Sequence, residues 1–538
     1  MAAGGTAQAH RPLFLPPFLP SVPTRIQHSQ QPLKSRKTKR SRIRCCTTPP
    51  PKFSNEQPPE PITHPPPDAT PPKPNNLFVF SRIGVDGVLL DIASIALPAA
   101  LALAADPLTS LVDTAYVGHV GSVELAAVGV SISVFNFISK LFNVPLLNIT
   151  TSFVAEESAL DEGEISQQKG DDGKLFLPAV STSLVLAGVI GIVEALVLFF
   201  GSGILVHLMG IQGSSPMRIP AEQFLRLRAF GAPAIVTALA AQGAFRGFMD
   251  TKTPLYAVGV GNLLNAILDP IMIFVFGLGI DGAAMATVIA DFVIAFILLW
   301  NLNTQVILVP SNIDVEKTIQ YLKSGVLLTG RTVAVVGTIT LSTSMAASAG
   351  PIQMAGHQIC MQIWLAVSLL NDALALAGQA LLASEYTKGN YKQARTIIYR
   401  VLQIGLGTGI SLAVILFIGY GTFCSLFTAD DAVLDIARCG MIFVTASQPI
   451  NALAFVLDGL YYGVSDFSYA AYSMGLVGLT SSLALLILAP AFGLAGVWAG
   501  LFLFMMLRVA AGFWRLGSKR GPWKAIWSDI KDINILDR

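Results

Sequence analysis

The sequence predicts an all-α polytopic membrane protein, with twelve transmembrane helices in two six-helix bundles related by a pseudo-twofold repeat. Three observations predict it. Hydrophobic residues make up 53% of the 538 and charged residues only 13%, against roughly 25% charged in soluble domains; mean hydropathy is +0.62. Long apolar windows recur from Gly87 onward. Landmarks of the first half return in the second at fixed offsets.

The chain divides near residue 76. Residues 1–76 hold 18 of the 32 prolines, with Ser, Thr and Gln, and cannot bury a core. Residues 1–55 contain ten Lys or Arg and no Asp or Glu. A basic, acid-free start without an apolar h-region reads as an organelle transit peptide rather than a secretory signal. The stretch Arg42-Ile-Arg-Cys-Cys-Thr is similar to a plastid processing site, with cleavage expected near Cys45. Residues 52–76 then form a Pro-rich linker. The competing reading is a disordered basic tail on anionic lipid. The five cysteines (Cys45, Cys46, Cys360, Cys424 and Cys439) show no CxxC spacing and indicate neither a metal site nor a disulfide framework.

The twelve apolar windows lie near 88–116, 123–153, 175–208, 221–247, 254–277, 281–303, 316–348, 352–384, 394–427, 432–462, 468–489 and 493–516. None alternates like a barrel strand, and lipid-exposed backbone then leaves only helices. The first window looks short: Ile92 to Ala105 is fourteen residues without a charge, where a span needs about twenty. The span therefore continues through Asp106-Pro-Leu-Thr-Ser-Leu-Val-Asp113. Residues 77–304 form the expected first lobe, 305–516 the second, and 517–538 a C-terminal tail. An even span number puts both ends of the mature chain on one side. Arg82, Lys169, Lys174, Lys252, Lys317, Lys388, Lys392, Arg395, Arg515, Lys519, Arg520 and Lys524 collect there, opposite mainly Arg218 and Arg438. That side is expected to be the cytosol or stroma. The acidic loop Glu156–Lys174 faces the same way.

The halves repeat. Gly-Ser-Val-Glu-Leu-Ala-Ala at 121 aligns with Gly-Pro-Ile-Gln-Met-Ala-Gly at 350, an offset of 229 that also lays Glu156 on Glu385. Ala232-Pro233 meets Gln448-Pro449, and Gly247-Phe-Met-Asp250 meets Gly463-Val-Ser-Asp466, both offset by 216. Six spans followed by six in the same orientation is a parallel repeat of the kind transporters use.

Polar groups inside the spans carry the chemistry. Asn262, Asn265 and Asp269 are spaced three and four, so they share one helix face. Asp106 and Asp113 share a face of the first span, while Gln242 and Thr287 come from spans 4 and 6. This set of oxygens, without a fixed cation beside it, suits Na⁺ or a proton held on a desolvated acid. Asp106 and Asp269 each precede a proline and could instead serve a kink. In the second half, Ser481 and Leu485 replace Asn265 and Asp269 at repeat positions. There Arg331 stands mid-span among Asn371, Asp372, Gln379, Gln448, Asn451 and Asp458. Arg331 demands a partner, either Asp372 or Asp458, or anchors an anionic substrate. Trp364 could line the cavity; His119 and His357 read as ordinary residues near loops. The division of labour expected is cation in the first lobe and substrate partly in the second.

Leu111-Val-Asp-Thr-Ala-Tyr-Val-Gly-His-Val-Gly, Phe245-Arg-Gly-Phe-Met-Asp-Thr-Lys-Thr-Pro and Asn265-Ala-Ile-Leu-Asp-Pro resemble the multidrug and toxic compound extrusion (MATE) family. Gln358-Ile-Cys-Met-Gln-Ile-Trp-Leu and Gln448-Pro-Ile-Asn-Ala-Leu-Ala-Phe-Val-Leu-Asp-Gly resemble its plant DinF-like branch, which includes citrate exporters and plastid members. The resemblance runs from about residue 80 to 516. It implies two six-helix bundles, rocker-type alternating access, and export of a small organic compound by antiport with H⁺ or Na⁺. Its cation site falls on Asp113, Gln242, Asn265, Asp269 and Thr287, with Gln242 replacing an Asn of some members. His357 stands where the branch commonly has an aromatic. Arg331, Trp364, Asp372, Asn451 and Asp458 are the expected substrate contacts, with an organic anion such as a carboxylate as substrate. No cofactor, metal or nucleic acid is expected; the partners are substrate and the lipid bilayer, the protein a monomer. The transit-like start points to a chloroplast membrane, the envelope, rather than the plasma membrane.

A major-facilitator transporter needs a Gly-x-x-x-Asp-Arg-x-Gly-Arg type loop after span 2, and Glu156-Glu-Ser-Ala-Leu-Asp-Glu-Gly-Glu is not one. An intramembrane aspartyl protease needs Gly-x-Gly-Asp, which Gly463-Val-Ser-Asp466 matches poorly. A lipid or precursor flippase of the same fold stays open, because fold does not decide cargo.

Overall fold

In a computed structural model of the chain, the residues described are 87–164, 177–209, 211, 215–308, 315–425 and 431–528. The expected transit peptide, its cleavage point, the Pro-rich linker and the end of the C-terminal tail lie outside them.

Fourteen α-helices make up the described residues. They are α1 (Gly87–Gly118), α2 (Ser122–Glu164), α3 (Pro178–Leu208), α4 (Arg218–Ala229), α5 (Ala232–Gly247), α6 (Lys252–Pro270) and α7 (Ile280–Gln305). The second half adds α8 (Val315–Ser348), α9 (Pro351–Thr387), α10 (Tyr391–Ser425), α11 (Asp431–Gly463), α12 (Phe467–Phe492), α13 (Leu494–Ser518) and α14 (Pro522–Trp527). Among the described residues, eleven helices are long and apolar enough to cross a bilayer, and α4 with α5 makes a twelfth span bent by 48°.

That bend departs from the continuous fourth span read from the sequence. Pro233 at the second position of α5 donates no backbone hydrogen bond, so the α-helical ladder stops at Ala229. Gly231 in the break sits where an added Cβ would lie 3.1 Å from the Asp291 carboxylate. The first span runs the other way: α1 continues without interruption through Pro98 and Pro107. Asp106 therefore does not mark a break. Its 32 residues extend to about 48 Å, beyond a hydrocarbon core of about 30 Å, so the helix tilts or projects. The supposed acidic loop begins as helix, since α2 reaches Glu164 and carries Glu156 within it. Part of the supposed tail is packed as well: Trp523 of α14 is fully buried and donates to Asp466 at 3.0 Å.

The repeat is visible as matched close approaches. Gly191 of α3 meets Pro233 of α5, with a Cβ there placed 2.6 Å from the Pro233 Cα; Gly409 of α10 meets Pro449 of α11 at 2.7 Å. Gly243 would crowd Leu147 O of α2 at 2.9 Å, and Gly459 would crowd Ala375 O of α9 at 2.3 Å. Without lipid-side hydrophobic driving force, such small residues let helices pack closely in a membrane.

Helices α1–α7 and α8–α13 form two lobes around a cleft. On the side of the chain ends (the terminal side) one apolar core spans both lobes, including Ile149, Phe153 and Tyr321. The Phe153 and Tyr321 rings meet at 4.7 Å, and the Tyr321 hydroxyl donates to Ala179 O at 3.0 Å. Toward the opposite (distal) side the lobes keep separate cores, one around Cys360 and Trp498 and others around Phe135 and Ile273. The lobes thus share one core on the terminal side and keep their own toward the distal side. Asp106 and Asp372, deep in their helices, are exposed.

Candidate functional site

In the first lobe, α1, α6 and α7 converge on one cluster. Gly261 makes this possible, since a Cβ there would lie 2.1 Å from Ile294 of α7. Asn265 and Asp269 are buried, and the Asp113 and Asp269 carboxyls stand within hydrogen-bonding reach of each other. With the Asn265 amide oxygen and nitrogen assigned from their surroundings, Nδ2 donates to Asp113 Oδ1 at 3.0 Å and Oδ1 accepts from the Thr287 backbone N–H at 3.3 Å. Among the described residues, no hydrogen-bond donor reaches the buried Asp269 Oδ2, a costly state that a proton or cation would relieve.

Asp269 is followed by Pro270, and the helix then loosens into a π-helical turn, Ile271–Val275. Such turns are frequent at functional sites. Gln242 is buried on α5, but among the described residues no hydrogen bond ties it to the cluster. Asp106 instead accepts from Asn262 Nδ2 at 3.2 Å. Behind the cluster, Arg228 of α4 lies 3.8 Å from Asp291 of α7 and 4.8 Å from the Phe135 ring centroid.

The second lobe is built around a cationic clasp. Asp458 Oδ2 accepts from Arg331 of α8 and from Arg508 of α13. Asp458, not Asp372, is therefore the partner Arg331 required. Among the described residues, the Nε atoms of both guanidiniums are buried without partners. Arg331 lies 5.5 Å from the Tyr462 ring centroid and Arg508 5.4 Å from that of Phe455. Asp372, open to the cleft, feels Arg246, Arg331 and Arg508 without bonding to them. Asn451 donates to Ser368 Oγ at 3.0 Å while its Oδ1 stays unpartnered, as do both amide atoms of Asn371. Trp364 lines a narrow apolar crevice of about 30 Å³ with Met361, Phe443, Trp498 and Met505. Arg508 Nη1 contacts Met505 Sδ at 3.2 Å and so links crevice and clasp.

His357, near the start of α9, is fully buried 5.0 Å from the Trp498 ring centroid with the rings tilted by 48°, and among the described residues neither ring nitrogen has a partner. Sequence reading also passed over Arg508, Arg246, Arg228, Asp291 and Glu194. Glu194 is buried on α3 and accepts from Ser139. Arg508, Asp291 and Glu194 are lone charges in apolar windows, the signal that Arg331 also carries, whereas Arg228 has Glu222 and Arg226 close by and Arg246 has Asp250.

Two helical lobes about a cleft lined by intramembrane charges define a membrane transporter rather than an enzyme. The chain belongs to the MATE family: the MatE family profile matches residues 165–271 and 332–488. It is similar to Protein DETOXIFICATION 44, chloroplastic, of Arabidopsis thaliana, 65% identical over 445 residues covering 83% of this chain and 85% of that protein. Protein DETOXIFICATION 45, chloroplastic, of the same plant is 52% identical, covering 80% and 79%. Among solved structures, an outward-facing conformation of a multidrug resistance MATE family transporter of the MOP superfamily shares the fold at TM-score 0.71 and 20% identity. That match covers 83% of this chain and 99% of the other.

Proposed function

We propose that the protein exports a small organic anion, a carboxylate, from the stroma across a chloroplast envelope membrane by antiport with H⁺ or Na⁺. The location is supported by the acid-free basic N-terminus and by the chloroplastic names of the two relatives. The observation that carries the anion is the clasp: two buried guanidiniums share one carboxylate, and their Nε–H groups lack acceptors. Guanidinium forks are the donors a carboxylate binds best. Asp113, Asn265, Asp269 and Thr287 hold the coupling ion. Proton gain at Asp113 removes the charge that the Asn265 amide donates to and changes how α1 packs on α6. Gln242 acts, if at all, by packing beside them.

Purified protein in proteoliposomes under an imposed ΔpH or ΔNa⁺ tests this with labelled carboxylates, organic cations and a lipid-scrambling control. Gradient-driven carboxylate uptake is expected; it falls to the gradient-free level in Asp113→Asn and Asp269→Asn while substrate exchange without a gradient persists. Arg508→Gln weakens carboxylate affinity and leaves any organic cation flux unchanged. Lipid scrambling without carboxylate flux would remove the reading.

A further inference from the structure

The second span carries a cation that belongs to neither cluster. Lys140 and Glu124 are the two charges of the 123–153 window. The α2 span runs Val123–Leu160, so Lys140 lies about 26 Å of helix from one end and about 30 Å from the other. That depth is beyond the reach of a snorkelling lysine. An ammonium held there faces the protein interior or water rather than hydrocarbon.

The packing of α2 shows which space it faces. Ser133, Asn136 and Lys140, spaced three and four, form one exposed polar stripe. Ser139, beside Lys140, is buried and donates to Glu194 of α3. Leu146 shares a core with Ala187 of α3 and with Val236 and Ala240 of α5, whereas Ser152 donates to Tyr462 O of α11 at 2.8 Å. Lys140 stands about 120° round the helix from Leu146 and about 120° from Ser152. That third bearing is left for α1 and α9, which both adjoin α2 and meet each other through Ala99, Ala373 and Leu376. It looks into the cleft between the lobes.

Among the described residues, no ion pair or hydrogen bond holds the Lys140 ammonium. The cations acting on Asp106 and Asp113 are Arg228 and Arg246, and those acting on Asp372 are Arg246, Arg331 and Arg508. The repeat gives Lys140 no twin: Leu369 stands at its position on α9, next to Ser368, which matches Ser139.

We propose that Lys140 is an anion-binding residue of the cleft, the first-lobe contact for the substrate's carboxylate. The clasp keeps its guanidiniums buried and shared with Asp458, whereas Lys140 offers an exposed ammonium that no neighbouring acid offsets. A carboxylate in the cleft gains a charge-assisted hydrogen bond from it, and Ser133 and Asn136 on the same stripe supply neutral donors. An ammonium is a compact point charge rather than a planar fork, so it accepts a carboxylate in more than one orientation. Recognition of the anion is then shared by the lobes instead of falling to the second alone. The inference rests on the anion-transport reading above.

Proteoliposomes with labelled succinate and benzoate test it. For whichever of the two the unmodified protein takes up, Lys140→Gln should raise KM about tenfold with kcat within about twofold, while Lys140→Arg keeps KM within about threefold. In a cysteine-free background, Lys140→Cys should match Lys140→Gln until aminoethyl methanethiosulfonate attaches an ammonium and restores KM. The sulfonatoethyl reagent, which attaches an anion, should restore nothing. An unchanged KM in Lys140→Gln, or equal rescue by both reagents, overturns the proposal. A second readout needs no flux, because these charged reagents attack thiols that water can ionise. Fast labelling of Lys140→Cys is expected, slowed about threefold or more by succinate or benzoate. No labelling would place the side chain in lipid and overturn the proposal, as would labelling that neither anion slows. Absent flux of every carboxylate in the unmodified protein would defeat the transport reading, while the labelling still decides whether an anion meets Lys140.

Discussion

The two lobes share a scaffold and differ in what fills it. Gly243 and Gly459 stand at the same repeat position and make the same close approach to a neighbouring helix. One residue earlier, Gln242 and Asp458 also match. In the first lobe that position holds an amide, and the acids sit on α1 and α6. In the second it holds the carboxylate of the clasp, while Ser342, Ser481 and Leu485 replace Asp113, Asn265 and Asp269. Ser342 Oγ only returns to Ile339 O at 2.7 Å, and Ser481 Oγ is buried without a partner. Backbone contacts through small residues thus set the repeat, and side chains at matched positions are free to diverge.

The widest difference should appear at the matched pair Gln242 and Asp458. Asp458→Leu leaves two buried guanidiniums without their shared carboxylate, and is expected to destabilise by about 3–5 kcal/mol. Gln242→Leu removes an amide with no bond to the acid cluster and is expected to cost about 1 kcal/mol or less. Thermal unfolding in detergent measures both, and equal losses would break the asymmetry. Gly459→Ala and Gly243→Ala probe what the lobes share. Each pushes a methyl against a neighbouring carbonyl, so each should cost about 1–3 kcal/mol, with Gly459 the worse because its Cβ would lie 2.3 Å from Ala375 O. The smallest effect belongs to the surface: Arg218→Ala breaks an i,i+4 pair with Glu222 at 2.8 Å and should cost about 0.5 kcal/mol or less, less again at high salt.

Much of the first-lobe cluster was legible in sequence because Asn262, Asn265 and Asp269 lie on one helix, where spacing alone puts them on one face. Which of them meets Asp106 and which meets Asp113 was not, since that depends on the rotation of α1 against α6. The clasp was half legible. Arg331 and Asp458 stood out as lone charges in apolar windows, and Arg508 offered the same signal in Phe-Met-Met-Leu-Arg508 without being read. Gln242 shows the converse: a polar residue at membrane depth that the packing leaves apart from the acids.

The sequence by itself determined the helices, their number and the parallel repeat. Each follows from local quantities: hydropathy over a span and landmarks at constant offsets. Only the tertiary structure decided that Arg331 pairs with Asp458, 127 residues away, that His357 is buried beside Trp498, and that α4 and α5 bend. It alone showed Ser152 of α2 bonded to Tyr462 O of α11 across the lobes. Hydropathy says that a helix is buried but not which way it is turned, and a charge in a span finds its partner only once neighbouring helices have packed.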